Sequence, residues 1–248
     1  MANKKLSMFT NKIAIITGGT GALGRVIVNK FAEACMKVYV PVRSINEFNE
    51  IFDDSQSEGE FKGLLKRYCL PCDATKEDEV SEFCQNIVKQ EKRIDYLINT
   101  VGGYHAKRMI TDTGTELIES QLKLNFYTTF YFTKHALTYM KANNFGRVVS
   151  IGAKPALETT AGKFAYSLSK GGVVNLMQTL AEEFKEQDIA FNAIIPSIID
   201  TPANRESMPN ADFTKWVSPA DIAETCLFLI GEGAKSFRGN VVKMYGGV

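Results

Sequence analysis

Lys12-Ile-Ala-Ile-Ile-Thr17 runs without a break into Gly18-Gly-Thr-Gly-Ala-Leu-Gly24. The first six residues form a short, nearly continuous apolar run, the pattern of a strand buried on both faces of a parallel sheet. An amphipathic helix is predicted from about Leu23 to Ala34. A glycine-rich turn between such a strand and a helix N-terminus offers backbone N–H groups and the helix dipole to a pyrophosphate. The same glycines would also serve a plain tight turn. An NTPase phosphate loop is the competing reading, and it fails at Arg25 and Val26, where Lys and Ser/Thr are needed. Strand, turn and helix in this order point to a dinucleotide, held by Gly18, Thr20, Gly21, Ala22, Leu23 and Gly24.

The alternation continues downstream. Met36 to Val42 reads as a second strand, Ile45 to Phe52 as a short helix, and Asp53 to Gly63 as the most loop-like stretch of the chain. Leu64 to Cys72 is a third strand, followed by a helix from about Lys76 to Glu91. Ile94 to Asn99 is a fourth strand, a long helix spans about Gly114 to Ala142, and Phe145 to Ile151 is a fifth strand. This rhythm implies right-handed βαβ units and an α/β fold with one doubly wound parallel sheet of about seven strands. No linker or solenoid-spaced repeat interrupts it, so residues 1–248 are expected to form one domain.

Ligands of such sheets bind beyond the C-terminal ends of the strands. An enzyme preferring NAD(H) usually places an acid after the second strand. Here Pro41 and Val42 lead to Arg43, whose cation suits a 2′-phosphate, so NADP(H) is favoured over NAD(H); otherwise Arg43 is a solvated helix-start residue. After the third strand, Asp73 is read either as an acceptor for the adenine or as a cap for the following helix, with Ala74 beside it. Asn99, Val101 and Gly102 follow the fourth strand, where Gly102 and Gly103 permit close approach of a ligand. His105 lies in the same loop, within reach of a substrate, whereas His135 looks like an ordinary helix residue.

Composition excludes several functions. The 248 residues carry a net charge of +1 with both signs interspersed, which argues against nucleic acid or a membrane surface as partner. No apolar run approaches the ~20 residues of a membrane span. Met1 to Phe9 lacks the apolar core of a secretory signal. Five widely spaced cysteines suit a reducing, cytoplasmic setting. Cys69 and Cys72 form a single C-x-x-C in an apolar run, which reads as strand cysteines rather than a metal site, and no metal is expected.

Phe164-Ala-Tyr-Ser-Leu-Ser-Lys170 carries the chemistry. On a helix Tyr166 and Lys170 share a face, one turn apart. A free Tyr has a pKa of about 10, and a nearby ammonium lowers it, which makes a catalytic proton donor. The bland alternative is a surface Tyr and Lys. Asn125, between Leu124 and Phe126, is either a structural pin or a residue that holds a relay water.

Thr17-Gly18 with Gly21 and Gly24, Asp73, Asn99, Asn125, and Tyr166 with Lys170 occur in the order and spacing of the short-chain dehydrogenase/reductase family, which the chain resembles from about residue 10 to its end. Pro196 to Thr201 resembles the family's nicotinamide loop, including Ile198 and Ile199, and Gly239 to Gly247 its final strand. The resemblance implies a Rossmann-type sheet, a homodimer or homotetramer built through paired helices, and a small-molecule substrate. It also implies that Tyr166 donates a proton, Lys170 tunes it and holds the nicotinamide ribose, and Asn125 links Lys170 to solvent. Three departures stand out. Ala22 replaces a common Gly, Thr100-Val101-Gly102-Gly103 replaces the usual N-A-G, and Ala153 stands where the family's catalytic Ser is expected. Ser150, Thr159 and Thr160 are hydroxyls out of register.

Residues 18–24, 152–158 and 200–216 resemble the quinonoid dihydropteridine reductase branch, which also lacks the Ser. That branch carries an acid after the second strand and has no Asn in the register of Asn125. The expected reaction is hydride transfer to a small carbonyl or conjugated, quinonoid-like substrate, with a polar lid over Pro202 to Val217. A non-catalytic cofactor sensor or structural subunit is the alternative from another class. The retained Asn125, Tyr166 and Lys170 argue against it. Apolar residues including Phe126, Phe130, Tyr131, Phe132, Leu176, Met177 and Leu180 exceed what one sheet face needs, in keeping with helix-paired subunits.

Overall fold

In Ile13–Thr17 (β1), odd and even side chains enter different cores, and this explains the unbroken apolar run. Ala14 and Ile16 join Ile27, Val28 and Phe31 on one face of the sheet. Ile13 and Ile15 join Val80, Phe83 and Phe132 on the other. The computed structural model describes residues 9–53 and 66–248. Seven strands form one all-parallel sheet in the order β3-β2-β1-β4-β5-β6-β7. The remaining strands are β2 Lys37–Val42, β3 Lys66–Pro71, β4 Tyr96–Asn99, β5 Gly146–Ile151, β6 Ile189–Pro196 and β7 Val241–Met244. The expected N-terminal segment and most of the 53–63 loop fall at positions 1–8 and 54–65, outside the described residues.

Helices cover both faces. Gly24–Glu33 (α1) follows β1, Ile45–Ile51 (α2) follows β2, and Glu77–Glu91 (α3) precedes β4. Thr115–Gln121 (α4) and Thr128–Ala142 (α5) precede β5, and Phe164–Glu183 (α6) precedes β6. Pro202–Ser207 (α7) and Pro219–Ile230 (α8) precede β7. The chain leaves β1 towards β2 and later returns to pair β4 on the opposite side of β1. The strand order reverses there, which is where open sheets of this kind leave a crevice for ligand.

Two expectations are corrected. The helix predicted across 114–142 is not continuous: Leu122–Tyr127 forms a π-helical turn between α4 and α5, and it contains Asn125. Such turns are frequent at functional sites. Asp73 does not cap α3, whose N-cap is Lys76 without a side-chain bond. Asp73 instead folds back on Thr75, accepting from its N–H at 3.0 Å and its hydroxyl at 2.8 Å.

The surplus of apolar side chains is smaller than predicted. Phe132, Met177 and Leu180 are buried in the core. Phe126 and Tyr127 stack along the helix on Phe130 and Tyr131, and Phe164 and Leu168 on α6 are exposed.

Candidate active site

The glycine turn is built by backbone packing. Gly18 has φ +65°, which favours glycine, and a Cβ there would lie 2.9 Å from Thr100 Oγ1. A Cβ on Gly24 would collide with the Gly18 carbonyl oxygen. Thr100, which sequence reasoning noted only as a departure from the usual N-A-G, ties the ends of β1 and β4 together. Its hydroxyl donates to Thr17 O at 2.6 Å and its N–H to Thr17 Oγ1 at 3.1 Å. The pairing was legible only as two threonines ending two strands that prove to be neighbours.

Beyond this turn lies a cleft of about 320 Å³. It brings together Gly18, Thr20, Gly21, Arg43, Asp73, Ala74, Val101 and Gly102, eight of the residues expected there. The Thr75 N–H holds the Asp73 carboxyl below the usual carboxylate range, with the hydroxyl of Thr75, Lys76 and Arg43 adding to the effect. Glu47 also lines the cleft. It was missed because it sits one helical turn past Arg43 rather than at the end of β2. Other predicted residues lie off this cleft. Leu23 is packed in the core. Asn99 is buried, its amide donating to Thr133 Oγ1 at 3.2 Å and Ser150 Oγ at 3.1 Å. Ala22 is partly buried at the turn before α1. The absence of side chains at Gly18 and Gly102 leaves a cradle that fits a dinucleotide.

Asn125, Lys170 and the loop after β4 meet at one point. Asn125 Oδ1 accepts from Gly103 N–H at 2.8 Å, and its amide faces Gly103 O, Gln121 Oε1 and Ser169 Oγ at 3.1 to 3.2 Å. It is therefore a pin for the 102–103 loop in this arrangement. A Cβ on Gly102 would stand 2.7 Å from both Asn125 Oδ1 and Lys170 Nζ, so only glycine lets the loop lie across them. Lys170 is buried and donates to Ile151 O at 2.9 Å. Burial pushes its pKa down to about 8.

Tyr166 is partly buried, with its ring edge-on to Tyr104 at 5.3 Å between centroids. Its pKa is pushed up to about 12, by burial and then by the Tyr104 phenol. This is the reverse of the lowering expected from Lys170, because the ammonium bonds the Ile151 carbonyl rather than the phenol. Ala153 is buried and presents no hydroxyl. Ser150 cannot substitute, since it is fully buried and its hydroxyl reaches Met177 Sδ at 3.3 Å. Thr159 and Thr160 are exposed.

Pro196 ends β6, and the chain then crosses towards the 202–217 segment. Ile199 O accepts from the Asn204 amide, and Thr201 Oγ1 caps α7 through Asn204 N–H. Ile198 O accepts from Val217 N–H at 2.8 Å. Arg205 chelates Asp200 at 2.6 and 2.7 Å. His135 bonds Glu77 on the outside of the fold, as an ordinary helix residue does. His105 lines a second pocket with Tyr104 and Tyr166. Cys69 packs towards one core and Cys72 into the other.

The short chain dehydrogenase family model matches residues 12–212, and the chain belongs to that family: it is an NAD(P)-dependent oxidoreductase acting on a small molecule. It is 28% identical to an uncharacterized oxidoreductase, YxjF, of Bacillus subtilis (strain 168), over 95% of this chain and 97% of that protein. It is equally 28% identical to a 7alpha-hydroxysteroid dehydrogenase of Paraclostridium sordellii, over 98% of this chain and 93% of the relative. Among solved structures, a short-chain type dehydrogenase/reductase from Mycobacterium ulcerans superposes with a TM-score of 0.88 at 24% identity, covering 96% and 90% of the two chains. No described helix is long and apolar enough to cross a membrane.

Proposed function

We propose that the chain reduces a small, strongly electrophilic carbonyl or conjugated, quinonoid-like substrate, with Tyr166 donating the proton. The observation that carries this is Tyr166 and Lys170 on one face of α6, beside a glycine-cradled cleft, with Ala153 in place of a hydroxyl donor. When bound, a nicotinamide dinucleotide supplies the hydride. Gly18, Thr20, Gly21 and Gly24 form the pyrophosphate turn, with Ala22 and Leu23 leading into α1. Asp73, Ala74, Val101 and Gly102 would border the adenosine and ribose, with Asn99 buried behind them, and Pro196, Ile198, Ile199 and Thr201 would border the nicotinamide. Lys170 would hold the nicotinamide ribose, and Asn125 fixes the 102–103 loop that lies across Lys170.

Losing one preorganised donor to a developing oxyanion costs about 10²–10³ in rate, so an unactivated ketone suffers most from Ala153. A quinonoid dihydropteridine is one such activated substrate. Following NADPH absorbance with quinones, vicinal dicarbonyls and simple ketones tests the reading. Faster turnover of the activated compounds supports it, and preference for simple ketones overturns it.

Arg43 at the end of β2 supports NADP(H) over NAD(H), with Glu47 in the same cleft opposing it. NADPH is expected to bind at least about tenfold tighter than NADH, the scale of one charge-assisted contact. Arg43→Ala is expected to remove the difference. Equal affinities for the two in the unmodified protein, measured by titration, would refute the assignment.

Residues 1–248 act as one dinucleotide-binding unit in this reading, with 202–217 as a lid over the substrate. The exposed Tyr127, Phe164 and Leu168, beside the Phe126–Phe130 stack, support a homodimer or homotetramer through α5 and α6. Light scattering at micromolar concentration is expected to give at least twice the 27.5 kDa chain mass, and a monomer would contradict it.

A further inference from the structure

The pocket beside Tyr166 is distinct from the dinucleotide cleft, and no residue lines both. The pocket is small, about 10 Å³, and half open to solvent, so an anionic group would sit at its mouth rather than inside it. His105, Arg108 and Lys163 line it, and no carboxylate does. Among the described residues neither Arg108 nor Lys163 forms an ion pair. Elsewhere, Lys154 and Lys243 share Glu158 at 3.8 and 3.7 Å. Two cations with no acid among the pocket's lining residues offer charge-assisted donors to an anionic group placed there.

The cluster is also fastened in place. Arg108 N–H donates to Gly162 O at 2.9 Å, which staples the loop after β4 to the turn before α6. Gly162 has φ +76°, and a Cβ there would lie 2.5 Å from Lys107 Cγ, so the absent side chain makes room for the stem of Lys107. Lys163 Nζ lies 5.2 Å from the centre of the Tyr104 ring, whose edge meets Tyr166. Two aromatic contacts thus separate a cation from the phenol. His105 Nδ1 accepts from Ala106 N–H at 2.8 Å, which leaves Nε2 as the imidazole's donor. The acids nearest in sequence are Asp112, exposed and engaged by the Thr111 hydroxyl, and Glu158, which is exposed and paired with Lys154 and Lys243.

We propose that the substrate carries an oxyanion, a carboxylate or a phosphate, and that Arg108 and Lys163 receive it while its carbonyl faces Tyr166. The proposal rests on the reading of Tyr166 as the proton donor. It would make this pocket the source of substrate discrimination, separate from any choice between cofactors at Arg43.

The test compares small oxo-acids with their methyl esters, and dihydroxyacetone phosphate with dihydroxyacetone, by NADPH oxidation. The charged member of at least one pair is expected to have a kcat/KM at least about tenfold higher, the scale of a charge-assisted contact. That preference should shrink about tenfold in Arg108→Gln and in Lys163→Gln, and should fall as salt is raised. Which pair discriminates assigns carboxylate or phosphate. Equal rates within both pairs, or a preference untouched by either substitution, overturns the proposal. If no carbonyl compound is reduced at all, the proposed reaction fails. The anion site is then judged by calorimetric titration of the unmodified protein with succinate and with inorganic phosphate. Binding that weakens in Arg108→Gln sustains the site, and absence of binding for both anions removes it.

Discussion

Tyr166→Phe is expected to lower turnover at least about 10²-fold, the low end of what a positioned general acid contributes, while NADPH affinity stays near that of the unmodified protein. The phenol is raised to about 12 by burial and by Tyr104, so at neutral pH it carries its proton but is a weaker acid than free Tyr. Donation relies on its position and on charge developing on the substrate. The ring of Phe preserves the edge-on contact with Tyr104, and only the O–H is lost. Measured kcat should therefore drop without a matching rise in the dissociation constant for NADPH. Unchanged turnover on a confirmed substrate would mean that solvent supplies the proton and that Tyr166 serves only to shape the pocket. A loss of NADPH affinity equal to the loss of rate would point instead to a disturbed cofactor cleft.

Much of this site was legible because its signals are local. A run such as Lys12 to Thr17 reads as a doubly buried strand from its short, unbroken apolar character and the glycine turn that bounds it. Those glycines are demanded by positive φ at Gly18 and backbone contact at Gly24. Tyr166 and Lys170 lie on one helix, where spacing is geometry. What could not be read depends on contacts between distant segments. The π-helical turn around Asn125 leaves no composition signal, and it is recognised only once Asn125 is seen bonded to Gly103, Gln121 and Ser169. Arg108 and Lys163 are 55 positions apart in sequence and look like ordinary surface cations until the Arg108–Gly162 bond joins their loops. The direction of the Tyr166 shift was likewise misjudged, because i,i+4 spacing gives a shared face and not a hydrogen bond. The ammonium had a better acceptor in Ile151 O.

Lys170→Met is expected to lower turnover at least about 10²-fold, to weaken NADPH binding, and yet to raise the stability of the protein near neutral pH. The ammonium is buried with a single carbonyl acceptor, Ile151 O at 2.9 Å, and no carboxylate partner among the described residues. Burial accordingly lowers its pKa to about 8, against about 10.4 for an unfolded lysine. Between those values the unfolded chain binds more protons than the folded one, so this group makes stability rise with pH across that window, by up to about 1.4 kcal/mol per unit. Below about pH 8 the folded state bears the full cost of a charged, desolvated lysine. Methionine keeps the length and apolar character of the stem and removes that cost. Urea midpoints of the two proteins should differ most at pH 7 and converge by about pH 10.5, with other titrating groups cancelling in the comparison. A stability difference that is constant over this range would show that Lys170 does not titrate there, and that its ammonium is better solvated than its burial implies. A variant of raised stability and lost activity would identify Lys170 as a charge held in the fold for catalysis at the expense of stability.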